Sequence, residues 1–194
     1  MPTPNRTAVI IVAAGRGLRA GPGGPKQYRT LGGRSVISRA MAAFCGHPQV
    51  AAVQPVVNPD DIAIFNQAVG NIRALAPVNG GATRQASVHA GLEALVATAP
   101  DIVLIHDAAR PFANNALIAR AIEAATITGA AVPVIPVTDT IKQVDARGHV
   151  DATPERAKLR IAQTPQAFRY DVILEAHRRA AREGRDDFTD DAAL

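Results

Sequence analysis

The stretch from Val12 to Lys26, called the phosphate loop below, combines glycines and basic side chains in a pattern that suits phosphate binding. Five glycines share it with Arg16, Arg19 and Lys26, and it contains no carboxylate. Glycine allows backbone N–H groups to turn towards a ligand without a Cβ in the way, and the cations add full charges. The pattern predicts binding of several phosphates at once, as in a nucleoside triphosphate. A basic surface loop without a ligand is the alternative for this stretch alone.

The spacing fits neither of two common nucleotide-binding motifs. A P-loop requires Gly-Lys followed by Ser or Thr, which the phosphate loop lacks. In the dinucleotide fingerprint a third glycine stands where this chain has Ala20, and more glycine and proline follow, so no helix can start at once. We therefore expect a loop that wraps its ligand, with NAD binding as a minor alternative.

A second group of reactive side chains follows the apolar run Ile102–Ile105. Asp107 and Arg110 lie directly after it. A carboxylate at the end of a strand near a triphosphate can hold Mg²⁺, with phosphate oxygens and waters as the other ligands. Arg110 can bind a phosphate through two hydrogen bonds. The alternative is a local Asp–Arg pair that closes a turn, and we interpret His106 as structural.

A third candidate site lies at the glycine pair Gly80-Gly81. The pair opens a predicted helix, whose N-terminus can meet the polar edge of a ligand. Ser87, one turn further on, can donate a hydrogen bond to a nucleobase. Loop glycines followed by a serine on a helix surface are an equally good interpretation of this stretch.

Strand-like and helix-like segments alternate along the chain. The predicted strands are Thr7–Val12, Val50–Val57, Ile72–Val78, Ile102–Ile105 and Ala130–Ile135. The predicted helices are Ser35–Phe44, Asp60–Val69, Arg84–Ala97, Asn114–Thr126 and Asp171–Glu183. This alternation predicts a Rossmann-like three-layer α/β sandwich with a mostly parallel sheet, in which ligands bind beyond the carboxyl ends of the strands. The first two candidate sites follow predicted strands at that edge.

One segment interrupts the alternation. Val137–Val144 and His149–Thr153 are separated by a glycine-containing turn, which is typical of a β-hairpin. We expect a protruding β-arm over about residues 136–163. Because a lone hairpin is marginally stable in water, the β-arm is expected to pack on a second copy of the chain.

Composition indicates one globular domain over residues 1–194. The chain is 47% hydrophobic, 4% aromatic and carries a formal net charge of +4. The basic side chains are dispersed and aromatic side chains are scarce, so we expect anionic small-molecule ligands and no nucleic acid. Cys45 is the single cysteine and is expected to pack as a small apolar side chain. With no signal or membrane-spanning pattern, we expect a cytoplasmic protein without a membrane partner.

Five motifs in order give the sequence a family resemblance. They are Ala13-Ala-Gly-x-Gly-x-Arg19, Pro25-Lys-Gln-Tyr28, His106-Asp-Ala-Ala-Arg-Pro111, Asp139-Thr-Ile-Lys142 and Thr164-Pro-Gln166. The first, together with Pro25-Lys26, is typical of the wider nucleotidyltransferase superfamily. The whole set closely resembles the 2-C-methyl-D-erythritol 4-phosphate cytidylyltransferases, from about Ala8 to the last residue.

The resemblance implies a reaction and a set of roles. The family joins CTP to 2-C-methyl-D-erythritol 4-phosphate, releases pyrophosphate and uses Mg²⁺ or another divalent cation. It implies a nucleotidyltransferase-type fold and a homodimer through the β-arm. By resemblance, Arg19 and Lys26 stabilise the transition state, Asp107 and Arg110 contact the acceptor or the metal–phosphate assembly, and Thr140 and Arg156 reach the acceptor from the partner's arm. The implied nucleotide-binding residues are Ala13, Ala14, Gly15, Gly17, Gly81 and Ser87.

Two departures from the family pattern affect these expectations. The family often has an acidic residue where this chain has Ala82, so base contacts would depend on the backbone and Ser87. Its C-terminal acceptor-positioning lysine has no match before Leu194, and in some bacteria the family is fused to a cyclodiphosphate synthase, so we expect a region beyond residue 194. The alternatives are a cytidylyltransferase acting on a pentitol phosphate and a non-catalytic nucleotide-binding subunit.

Overall fold

The computed structural model describes residues 6–16 and 24–194. The strands are β1 (Thr7–Ala13), β2 (Thr30–Leu31), β3 (Arg34–Ser35), β4 (Val50–Val57), β5 (Val78–Asn79), β6 (Ile102–Asp107), β7 (Ala130–Ala131), β8 (Val134–Pro136), β9 (Gln143–Val144), β10 (Val150–Ala152), β11 (Arg160–Ala162) and β12 (Gln166–Arg169). The helices are α1 (Val36–Cys45), α2 (Ile62–Val69), α3 (Arg84–Ala94), α4 (Asn115–Thr128) and α5 (Tyr170–Arg182). Among the described residues, no helix is long and apolar enough to cross a membrane.

The central sheet is mostly parallel, as the sequence predicts. In the described chain it has six strands in the order β5-β4-β1-β6-β12-β7. Strand β1 lies between β4 and β6 and runs parallel to both. Strand β12 runs antiparallel to β6 and β7 and was not predicted. Because β12 runs in the opposite direction, its first residue lies at the edge where β1 and β6 end.

The sheet is covered on both faces, which confirms the three-layer arrangement. Side chains along β1 alternate between the faces: Val9 and Ile11 pack with α1, α2 and α4, whereas Ile10 packs with α3 and α5. Fully burying one such side chain stabilises the fold by about 1.5–3 kcal/mol. At Gly91 the helix α3 comes so close to the sheet that a Cβ would lie 2.8 Å from the side chains of Ile10 and Val56.

Two predicted strands were wrong in extent. Of Ile72–Val78, only Val78 lies in a strand. The residues before it make isolated hydrogen bonds with β4 instead of a ladder: the Leu75 N–H donates to the Val53 carbonyl, and the Gln54 side chain donates to the Ala76 carbonyl. The predicted strand Ala130–Ile135 is split into β7 and β8 around Pro133, which has no N–H for a ladder. Helix α3 ends at Ala94, three residues before its predicted end. Cys45 ends α1, half-buried against the core.

The β-arm is present as a pair of short antiparallel ladders outside the main sheet. Strands β8 and β11 form its base, and β9 and β10 form the predicted hairpin with a turn at Asp145–Gly148. The base begins at Val134, two residues before the expected boundary. Apolar side chains on the β-arm are exposed in the monomer, including Val144 (55%) and Val150 (61%).

Candidate active site

An open cleft of about 720 Å³, called the nucleotide cleft below, lies where β1 and β6 end. Parallel strands place their carboxyl ends at one edge of a sheet, so residues far apart in the sequence meet there. Seven of the predicted site residues line the cleft: Ala13, Ala14, Gly15, Lys26, Gly81, Ser87 and Asp107. Predicted residues Gly17 and Arg19 lie outside the described part of the chain.

The described part of the phosphate loop is held in place by Gln27. Its side-chain amide donates hydrogen bonds to the carbonyl oxygens of Ala13 (2.8 Å) and Gly15 (3.0 Å), and Gln27 itself is only 4% exposed. Lys26 opens the short 3₁₀ turn Lys26–Tyr28 and is exposed at the cleft. Gln27 therefore fixes the backbone of the loop while the adjacent ammonium group remains accessible to a ligand.

Arg16 is tied to an acidic group at the start of α2. Its guanidinium contacts the carboxylate of Asp60, lies 3.5 Å from Asp61, and donates to the side-chain oxygen of Asn58 at 3.3 Å. Arg16 lines the cleft, but part of its charge is balanced by these carboxylates. Lys26 is therefore the better candidate for a cation directed at phosphate.

The other wall of the cleft is built on the N-terminus of α3. Thr83 caps the helix, with its hydroxyl accepting from the Ala86 N–H. Ser87 is 2% exposed; its hydroxyl donates to the Thr83 carbonyl at 2.9 Å and accepts from the Gly81 N–H at 3.1 Å. The contacts of Ser87 are with the backbone, so it fixes Gly81, and a direct contact with a base stays a prediction.

Gly80 allows the two walls of the cleft to approach each other. A Cβ at Gly80 would lie 2.2 Å from the Cβ of Ala14, far inside van der Waals contact. The N–H of Gly80 donates to the carbonyl of Val57 at 2.8 Å, which anchors this loop to the end of β4. The glycine pair is therefore required by packing at the cleft.

Two arginines bind the carboxylate of Asp107. Arg110 donates from Nε to Oδ2 at 3.1 Å, and Arg84 donates from Nε to Oδ1 at 3.3 Å. Arg110 also contacts Gln163. The contact between Arg110 and Asp107 is the local Asp–Arg pair that the sequence analysis gives as the alternative to a functional role. Arg110 lines a neighbouring apolar cavity of about 710 Å³ between α4 and the base of the β-arm, and it is absent from the described lining of the nucleotide cleft.

His106 is a buried structural residue. It is 0% exposed, and its ring lies between the hydroxyl of Thr164 (3.0 Å from Nδ1) and the carbonyl of Arg110 (2.9 Å from Nε2). A carbonyl only accepts, so Nε2 carries the proton and Nδ1 accepts from Thr164. The Thr164 oxygen in turn accepts from the Asp107 N–H at 3.3 Å. Burial lowers the pKa of His106 from 6.5 to about 4, so the ring is neutral at pH 7.

The donor set at the cleft suits a hard cation only if phosphate supplies most of its ligands. In the described residues no group of three or more His, Cys, Asp or Glu side chains could hold a metal ion. Mg²⁺ is commonly bound by one or two carboxylates, with substrate phosphates and waters completing the octahedron. Asp107, a single carboxylate that lines the cleft, fits that mode.

Thr140 and Arg156 lie on the β-arm, away from the other predicted residues. Both are exposed, and Arg156 donates from Nη1 to the carbonyl of Thr138 at 3.0 Å. Neither belongs to the described lining of the nucleotide cleft of its own chain. The structure of one chain therefore does not bring them to the site.

The sequence reasoning missed two residues that hold the site together, Gln27 and Arg84. Gln27 stands in the quoted motif Pro25–Tyr28, whose spacing was the available signal, but only Lys26 received a role. Arg84 was assigned to a helix start, and its contact with Asp107 depends on tertiary structure that no local pattern reports.

The fold and cleft define a nucleotidyltransferase-like α/β protein. The sequence profile of the family described as 2-C-methyl-D-erythritol 4-phosphate cytidylyltransferase (IspD) matches residues 7–194. The chain belongs to this family.

Individual relatives agree with this assignment. The chain is 81% identical over 194 residues to the bifunctional enzyme IspD/IspF of Nitrobacter hamburgensis, covering 100% of this chain and 48% of that protein. It is similar to the crystal structure of 2-C-methyl-D-erythritol 4-phosphate cytidylyltransferase from Thermus thermophilus (35% identity, TM-score 0.76, covering 97% of this chain and 82% of that one). It is also similar to 4-diphosphocytidyl-2C-methyl-D-erythritol synthase from Anaerococcus prevotii (28% identity, TM-score 0.83, covering 98% and 82%). The chain spans about half the length of the curated relatives it matches.

Proposed function

We propose that the chain transfers the CMP group of CTP to 2-C-methyl-D-erythritol 4-phosphate and releases pyrophosphate, in the non-mevalonate route to isoprenoids. The observation that carries the proposal is the nucleotide cleft, where the phosphate loop, the Gly80-Gly81 turn and Asp107 meet. Membership of the cytidylyltransferase family supports the choice of nucleotide and acceptor. The proposal includes a cytoplasmic location, which fractionation of cells that express the tagged protein tests.

The chemistry requires charge neutralisation more than proton transfer. A phosphate oxygen of the acceptor attacks the α-phosphorus of CTP, the bond from that phosphorus to the bridging oxygen breaks, and pyrophosphate leaves with the electron pair. The attacking oxygen is already anionic, so little or no general base is needed. Positioning and electrostatic stabilisation then supply most of the catalysis. Lys26 and Arg19 are proposed to balance the charge that develops at the transferred phosphate.

A divalent cation is part of the proposal. Mg²⁺ bound to the triphosphate would reduce repulsion between the two polyanions. Asp107 is the carboxylate proposed to bind it, because this side chain faces the cleft beside the phosphate loop. Since both oxygens of Asp107 contact arginines, it would share its oxygens between the cation and Arg84 or Arg110.

The acceptor site is proposed to be completed by a second copy of the chain. The exposed apolar side chains of the β-arm need a surface to cover them, and a two-fold dimer gives each arm an identical partner. Thr140 and Arg156 do not line the cleft of their own chain, which supports a role in the partner's site.

Subunit mixing tests the shared site. Homodimers of Arg156→Ala and of Lys26→Ala are each expected to be poorly active. In a mixed dimer one site carries both changes and the other carries neither, so activity should recover to about half of wild type per heterodimer. No recovery despite verified subunit exchange would mean that Arg156 serves its own chain.

Pyrophosphate release with defined substrates tests the activity. We expect turnover with CTP and 2-C-methyl-D-erythritol 4-phosphate, and much less with a pentitol phosphate acceptor. ATP, GTP and UTP should be poor donors, because a wrong base leaves buried polar groups unpaired. Equal turnover with a pentitol phosphate would favour the alternative acceptor, and nucleotide binding without turnover would favour a non-catalytic subunit.

A further inference from the structure

Arg84 links the nucleotide cleft to a buried carboxylate near the C-terminal end of the described chain. Its Nε lies 3.3 Å from Oδ1 of Asp107, and its Nη2 lies 2.8 Å from Oδ2 of Asp191. Arg84 lines the cleft, whereas Asp191 is 2% exposed and lies behind it. One guanidinium thus joins a carboxylate that faces the substrates to one that solvent does not reach.

Asp191 is held as a buried anion. Burial alone raises the pKa of its carboxyl group, but the adjacent His177 ring and the positive charge of Arg84 outweigh burial, so the pKa lies below its ordinary value. The Nε2 atom of His177 lies 3.4 Å from Oδ1 of Asp191, and His177 is 1% exposed. A buried carboxylate with these partners has little freedom to move, so it fixes the guanidinium that it binds.

The backbone also fixes the position of Asp191. Its N–H donates to the side-chain oxygen of Gln166 at 3.1 Å, and the amide nitrogen of Gln166 donates to Asp190 at 3.3 Å. Gln166 is the first residue of β12 and lies two residues after Thr164. The Thr164 hydroxyl contacts the His106 ring and accepts from the Asp107 N–H. The segment that carries Asp191 is therefore attached close to Thr164, the residue that supports the Asp107 backbone.

We propose that Asp191 is a positioning residue for nucleotidyl transfer: by holding Arg84, it fixes the orientation of the Asp107 carboxylate in the nucleotide cleft. Arg110, attached to Gln163, holds the second oxygen of the same carboxylate. Asp107 is then fixed at both oxygens by arginines that are themselves anchored. The inference rests on the proposed function, since it assigns Asp191 a role in that reaction.

A double-mutant cycle in the full-length protein tests the link. Asp191→Asn replaces the carboxylate with an uncharged amide of the same shape, and Arg84→Gln replaces the guanidinium with a shorter uncharged amide. Each is expected to lower kcat about 10- to 100-fold, because a small displacement of a positioned group has effects of that order. The kcat of the double variant should lie within about twofold of the lower of the two single-variant kcat values, because Asp191 acts through Arg84. The dissociation constant of CTP, measured by calorimetry, should change less than about threefold in all variants.

Two control variants separate this role from general damage. Glu93→Gln removes a different ion pair on α3, the one with Arg178, and Asp187→Asn removes an exposed carboxylate from the C-terminal segment. Both are expected to keep wild-type kcat. Asp191→Asn with wild-type kcat would overturn the positioning role. The role would also be overturned if the two single-variant losses of kcat multiplied in the double variant. It would be overturned as well if the loss of kcat were accompanied by loss of CTP binding and of the melting transition. A wild-type protein that does not transfer CMP would instead refute the proposed function, on which the inference rests.

Discussion

Acidification is expected to destabilise this protein well above the pH at which carboxylates titrate, because of His106. In the folded chain the pKa of this buried ring is lowered from 6.5 to about 4. Between those values the unfolded chain binds a proton that the folded chain does not bind. Stability contributed by the neutral ring is therefore present above pH 6.5 and is lost as the pH falls towards 4.

The size of the effect follows from the two pKa values of His106. One pKa unit corresponds to about 1.4 kcal/mol, so the whole difference corresponds to about 3 kcal/mol. Between pH 7 and pH 4.5 the expected loss is about 2 kcal/mol of unfolding free energy, since most of that window lies between the two pKa values. Protonation would also remove the hydrogen bond that Nδ1 accepts from Thr164, which supports the Asp107 backbone.

Urea denaturation at a series of pH values measures this loss. The wild type should lose about 2 kcal/mol between pH 7 and 4.5, whereas His106→Gln should be less stable at pH 7 but show a flatter profile. His149→Gln, at a histidine exposed on the β-arm, should keep the wild-type profile and serves as the control. An NMR titration that gives His106 a pKa near 6.5, or equal profiles for the wild type and His106→Gln, would refute the reasoning.

Four further substitutions test the cleft. Lys26→Ala is expected to lower kcat by on the order of 100-fold with little change in melting temperature, because its exposed ammonium is proposed to act at the transferred phosphate. Arg19→Ala should lower kcat to a similar extent, because the same role is proposed for it. Turnover measured by pyrophosphate release checks both, and wild-type turnover would contradict the role. Gly80→Ala should weaken CTP binding about tenfold or more, because its Cβ would overlap Ala14 at 2.2 Å; calorimetry with an unchanged dissociation constant would contradict the close approach. Gln27→Ala should cost about 1–3 kcal/mol of unfolding free energy, because two loop carbonyls lose their donor; an unchanged denaturation midpoint would count against that support.

The parts of the fold that the sequence predicts well are those with strong local patterns. The apolar runs that form β1, β4 and β6 and the capped helices were found within a few residues. Strand β12 was missed because its four residues follow an arm whose end has no local signal, and its place in the sheet depends on pairing with β6, far away in sequence. Ile72–Val78 looked like a strand because it is a short, mostly apolar run, yet only its last residue pairs with β4.

The candidate site was predictable where residues follow strand ends. Ala13, Ala14 and Asp107 reach the cleft because β1 and β6 are parallel neighbours, a relation that the alternation of elements implies. The Arg84–Asp191 contact joins residues more than a hundred positions apart, and the burial that makes it informative exists only in the folded chain.

The β-arm leaves and rejoins the sheet through adjacent strands, which makes it modular. Strands β7 and β12 pair directly, with Ala131 opposite Ala167, and Gln163 donates to the carbonyl of Pro133 just beyond them. The two ends of the insertion are therefore already side by side, and closing them with a short turn requires no rethreading of the sheet. Changes in the length or sequence of the arm can therefore alter the proposed contact between copies of the chain while β1, β6 and the nucleotide cleft stay where they are.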